Sequence, residues 1–153
     1  TGLYLVNLVV KMLVAPFLGK AVAHFGERRT LIWEYVGLTL VFMAYGGIYW
    51  FGWGVLFASV LYVVDNILFG LALALKTYFQ KIADPADIAP TAAVAFTINH
   101  IAAVFLPVLL GLLWMVSPTA VFGLASLMAM TSLGLSLLVP RHPGPGNVTR
   151  LSE

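Results

Sequence analysis

The sequence predicts an all-α membrane protein of five transmembrane helices, and three observations carry that prediction. Of the 153 residues, 61% are apolar and only 9% are charged, where a soluble domain has about 25% charged residues. Five stretches reach or approach the roughly 20 apolar residues a helix needs to cross ~30 Å of hydrocarbon. Seven of the eight Lys and Arg residues fall into the connections on one side of those stretches. Strands of a β-barrel would be about half as long and would alternate in polarity, which these do not.

The spans are expected at about 1–18, 31–50, 54–75, 90–116 and 119–139. Residues 1–140 then form the helical bundle, and 141–153 a disordered cytoplasmic tail around Pro143-Gly144-Pro145-Gly146. Gly46-Gly47 is expected to loosen the end of the second span, and Trp50-Phe51-Gly52-Trp53-Gly54 to turn the chain into the third. Asp84-Pro85 reads as the cap of a short interfacial turn before Pro90. Ser117-Pro118 reads as an N-cap followed by proline at the first helical position. The chain opens on Thr1, without a charged n-region or a cleavage site, and is expected to be a piece of something longer.

Orientation follows from the cations. Lys20, Arg28 and Arg29 lie between spans one and two, Lys76 and Lys81 between three and four, and Arg141 and Arg150 after five. The opposite connections carry none, so loops 19–30 and 76–89 and the C-terminus are expected to be cytoplasmic. Trp50, Trp53 and Trp114 collect at the other face, as an interfacial belt does.

Composition also excludes function classes. A net charge of +2 offers no basic surface to nucleic acid. No cysteine is present, so there is no disulfide, thiolate metal site or cysteine nucleophile. No phosphate loop, nucleophile elbow or His/acid metal spacing appears either. Neither an enzyme nor a resident cofactor is expected.

A few strongly polar side chains lie deep in the spans: Asn7, Lys11, Asp65, Asn66, Asn99 and His100. Counting from the cytoplasmic ends puts Lys11, Asp65 and His100 at ~12, ~16 and ~15 Å. A charge at such depth costs roughly 2.5–3.5 kcal/mol on insertion scales and belongs in a bundle interior or a wet cavity. Helical spacing groups Tyr4, Asn7 and Lys11 on one stripe, Ser59, Tyr62, Asp65 and Asn66 on another, and Thr97 with His100 on a third. Glu34, one turn from the cytoplasmic end of span two, is expected to snorkel to water. Spans two and five otherwise carry no mid-membrane charge. The pattern predicts three cavity-lining helices and two outer ones, with Lys11, Asp65 and His100 converging on one passage.

Plainer readings stand beside these. The asparagines and His100 can serve as interhelical hydrogen-bonding groups. Lys11 and Asp65 can be a structural ion pair. A metal role for His100 lacks partners, because His24 and His142 lie outside the membrane slab. A lone Lys11 is thin support for a retinal-type Schiff base.

The segment Gly19-Lys20-Ala21-Val22-Ala23-His24-Phe25-Gly26-Glu27-Arg28-Arg29 resembles the cytoplasmic signature of the major facilitator superfamily, G-x-x-x-D-x-x-G-x-[RK]-[RK]. Gly19, Gly26, Arg28 and Arg29 match at the right spacing between two spans. Ala23 stands at the acidic position, so a charge network of the family's kind is absent or has to use Glu27. The stretch Lys76–His100 also looks like the ten–eleven loop of bacterial members.

The resemblance covers nearly the whole chain and implies helices eight to twelve of a twelve-helix transporter: most of its C-terminal half, without helix seven, in a bacterial cytoplasmic membrane. In the family, helices seven, eight, ten and eleven line the cavity, and the polar stripes fall on the matching spans. The implied function is secondary active transport of a small solute by alternating access against the N-terminal half, within a lipid bilayer. Asp65 and His100 become candidates for proton coupling, with Asn7, Lys11, Tyr62, Asn66, Thr97 and Asn99 as candidates for the substrate cavity. An uncoupled facilitator and a five-helix scaffold protein are the rival readings.

Overall fold

The computed structural model describes residues 2–152. Six α-helices and a short C-terminal 3-10 turn follow one another: α1 Gly2–Phe25, α2 Glu27–Phe51, α3 Val55–Gly70, α4 Leu73–Ile82, α5 Pro85–Val116, α6 Pro118–Ser136, then Arg150–Ser152. Five helical segments are long and apolar enough to cross a membrane, with α3 and α4 together counting as one. No strand is present among the described residues.

Several boundaries differ from those expected. Gly19–Phe25 is helical, so the anticipated 19–30 loop shrinks to a single-residue turn at Gly26. Gly26 holds φ +79°, a backbone region that costs glycine nothing and other residues a good deal. Gly46 and Gly47 sit inside α2, which ends only at Gly52 in the left-handed conformation. Their lack of side chains serves packing instead: a Cβ on Gly46 would lie 3.5 Å from Phe122 Cβ of α6.

The third span runs on past 75 to Ile82 and breaks at Gly70–Ala72. There Leu71 and Ala72 donate to Leu68 and Phe69, three residues back, which tightens the chain into a 3-10 turn. The 76–89 loop is thereby reduced to Ala83 and Asp84. Asp84 does cap a helix, its Oδ1 accepting from Ala86 N–H at 2.9 Å, but that helix continues through Pro90 and Pro107 to Val116. Ser117 caps α6 as the Ser-Pro pair predicts, accepting from Ala120 N–H at 3.2 Å.

The segment after α6, expected to be disordered, folds back on the bundle. Arg150 N–H donates to Leu138 O at 2.7 Å, and the Tyr78 hydroxyl of α4 donates to Val148 O. Asn147 Nδ2 donates to His142 O at 3.0 Å.

α2 is the hub. It packs along α6 and also against α1, α3 and α4, whereas α5 makes its substantial contacts with α6 alone. The buried stripe of α2 reads Glu27, Thr30, Leu31, Glu34, Leu38 and Val41, the three- and four-residue spacing of one helix face. Val22, Leu31, Ala74 and Val139 form a small core, flanked by Tyr35 and Tyr78. On α6 the buried positions are small: Ser126, Ala129 and Ser136.

Polarity is reversed relative to a soluble domain. Asn7, Glu27, Thr30, Glu34, Ser126 and Ser136 are buried, while Met12, Phe17, Trp33, Leu56 and Met115 are each more than 60% exposed. Hydroxyls on the helices close onto their own backbone, as Thr30 to Gly26 O (2.9 Å) and Ser126 to Phe122 O (2.8 Å) do. Hydrocarbon demands both: polar groups satisfied within and apolar side chains turned out.

Candidate functional site

Polar residues of α1 and α3 border a cleft between the two helices. α1 supplies Lys11, which is exposed, and α3 supplies Asp65, which is half-buried; among the described residues the two form no ion pair. Lys11 borders this cleft, of about 370 Å³, together with Asn66 and Gly70. One face is imposed on α3 by i, i+3 and i+4 spacing, which keeps Tyr62, Asp65 and Asn66 together.

Tyr45 of α2 adds a further polar side chain against α3, nearer the Gly54 end. Its hydroxyl donates to Ala58 O at 3.3 Å, and its ring stacks on Phe122 at 5.1 Å. Sequence reasoning missed it by setting span two aside as apolar. The available signal was a tyrosine about two turns from the Gly52 end of a helix that must face its neighbours.

The other candidates divide. Asn7 is 4% exposed and its Oδ1 has no hydrogen-bond partner. Asn66 Nδ2 donates to Tyr62 O at 2.8 Å, within its own helix. Thr97, Asn99 and His100 are all exposed on α5, and Thr97 donates to Ala93 O at 3.0 Å.

His100 does not join Lys11 and Asp65. It stays on α5, against Phe96, and its Nδ1 bonds Phe96 O at 2.9 Å. A carbonyl only accepts, so Nδ1 carries the proton and Nε2 is left as the free nitrogen. The expected three-way convergence is therefore not formed: Lys11 and Asp65 make no ion pair among the described residues, and His100 stays apart. The reason is connectivity: α5 leans on α6 and not on α1 or α3.

Two acids of α2 correct the sequence picture. Glu34 does not snorkel; it is 2% exposed and its Oε2 has no hydrogen-bond partner. Seven residues separate it from Glu27, ~10 Å of helix, which the side chain does not span to reach water. Glu27 is 5% exposed at its side chain and forms a 2.6 Å ion pair with Lys81 of α4. The motif residues Gly26, Arg28 and Arg29 border a separate cleft at this end of the bundle, whereas Gly19 is a helical residue of α1.

No group of three or more His, Cys, Asp or Glu side chains able to hold a metal ion occurs among the described residues. No protein-family model, curated protein or solved structure matches the chain.

Proposed function

We propose that this chain is the greater part of the C-terminal half of a secondary transporter of the major facilitator type, moving a small solute by alternating access. The observation that supports the reading is the cleft between α1 and α3, bordered by Lys11 and Asn66, with Asp65 next to Asn66 on an apolar helix. A charge inside a membrane helix is costly enough to mark a solute or ion pathway. A cation that borders a cleft, unpaired by any carboxylate among the described residues, is free to meet a passing solute.

In this reading Asp65 carries the proton, Lys11 answers its charge state, and Tyr45, Tyr62 and Asn66 supply neutral polar contacts for the solute. His100 is a second proton-carrying candidate, acting from α5. The Glu27–Lys81 pair takes the place of the family's acidic network at the α1–α2 turn, where Ala23 offers no charge.

The test uses the full-length protein in vesicles loaded with pyranine, under an imposed pH gradient, with a panel of sugars, amino acids and organic cations offered in turn. At least one solute should speed dissipation of the gradient. Asp65→Asn combined with His100→Gln should return the rate to that of empty vesicles. Unchanged proton flux in the double variant removes the coupling role from both residues, and solute entry without any proton flux assigns an uncoupled facilitator.

A further inference from the structure

We propose that the cleft where the α1–α2 turn meets the chain after α6 binds the headgroup of an anionic phospholipid. The cleft has a volume of about 490 Å³, and its rim carries Arg28, Arg29, Arg141 and His142. None of the three guanidinium groups has a carboxylate within 4 Å among the described residues. The nearest acid in sequence, Glu27, is already held by Lys81. Three like charges around one cavity repel one another unless an anion sits between them. The planar fork of arginine fits phosphate oxygens two at a time.

Two features of the fold build this cluster. The single-residue turn at Gly26 delivers Arg28 and Arg29 in the first turn of α2. The buried Pro140 and the Arg150–Leu138 hydrogen bond hold the chain after α6 against the bundle, which places Arg141 and His142 on the same rim.

A second groove decides between a lipid and a free anion. Phe25 borders the charged cleft and also lines a neighbouring groove of about 320 Å³, whose other walls include Ala21, Trp33 and Leu71. Its one hydroxyl, that of Thr30, is tied to Gly26 O. A phosphate ion has no use for an apolar channel running beside its site. An acyl chain attached to the phosphate does, and basic pockets between helices at this membrane face are suited to such headgroups.

Trp33 reports on the groove directly. The full-length protein is reconstituted in phosphatidylcholine vesicles containing a small fraction of bromine-labelled lipid, either phosphatidylglycerol or phosphatidylcholine. Quenching is measured as the difference from Trp33→Phe, which removes the signal of the remaining tryptophans. Brominated phosphatidylglycerol should quench Trp33 more strongly, and Arg141→Gln should weaken that preference about fivefold. Arg141 lies outside the helices, so this variant leaves the α1–α2 turn intact; Arg28→Gln with Arg29→Gln should abolish the preference. Lys76→Gln, an exposed cation away from the cleft, should leave it unchanged. Equal quenching by both lipids overturns the proposal, as does a loss in Lys76→Gln equal to that in Arg141→Gln. Equal quenching by both lipids together with a change in Trp33 emission on adding inorganic phosphate assigns the cleft to a free anion.

Discussion

Glu27 and Glu34 share one face of α2, yet their situations are opposite. Glu27 is neutralised by Lys81, whose own side chain is half exposed. Removing either partner is therefore not equivalent. Lys81→Met leaves a carboxylate in a site closed to water and should destabilise by about 1–3 kcal/mol. Glu27→Gln leaves a lysine free to turn into solvent and should cost less, on the order of 0.5–1 kcal/mol including the lost interaction with the helix N-terminus. Thermal unfolding of the two variants in the same detergent checks this, and equal losses would show that water screens the pair. Glu34 has no such partner, and one of its oxygens is unbonded. Glu34→Met fills the same space without the desolvated oxygen and should raise stability by about 1–3 kcal/mol. A destabilised variant would mean that the carboxyl is engaged by a group supplied in the assembled protein.

At the scale of elements, the break between α3 and α4 is where packing and backbone agree. A Cβ on Gly70 would come within 2.5 Å of Leu18 Cδ1, so glycine is what lets α1 lie close at the break. Gly70→Ala gains up to about 1 kcal/mol in helix propensity but overfills the contact, which costs roughly 1–3 kcal/mol. A net loss is expected, and Leu18→Ala in the same chain should recover part of it; strict additivity of the two would show that α1 and α3 do not press on each other here.

This break was not legible in the sequence, because one glycine in an apolar run signals nothing without its neighbour. Spans and caps were legible: apolar length sets the first, and Ser117-Pro118 and Asp84-Pro85 set the second through local chemistry alone. The polar stripes of α1 and α3 were legible as spacings, and of their members Lys11 and Asn66 border one cleft while Tyr4 is exposed. Which helix a face meets is a matter of tertiary packing, so His100 lies on α5 away from Lys11 and Asp65 although its depth matched theirs. Glu34 shows a related limit. Distance from a helix end suggested water, while the spacing of Glu27, Thr30, Leu31, Glu34 and Leu38 was the signal for burial.

For the molecule as a whole, the arrangement of charge sorts the two ends of the bundle. One end gathers the Glu27–Lys81 pair, the arginine-rimmed cleft and the folded C-terminal segment. The other gathers aromatic rings, with Trp53 beside Phe51 and Phe57, and Trp114 against Phe122. Connections Gly26 and Ala83-Asp84 belong to the first end, and Gly52–Gly54 and Ser117 to the second, as five antiparallel crossings require. By the positive-inside rule we propose that the arginine end faces the cytoplasm. Because the chain has no cysteine, this orientation can be read one site at a time. Ala83→Cys at the first end and Trp53→Cys at the second replace residues in the connections, outside the packed stripe of α2. In right-side-out vesicles a membrane-impermeant maleimide should label Trp53→Cys and spare Ala83→Cys, and in inverted vesicles the pattern should reverse. Labelling of both sites from one side would mean that the segments between them do not cross the bilayer an odd number of times. The opposite pattern would place the arginines outside and overturn the proposed orientation.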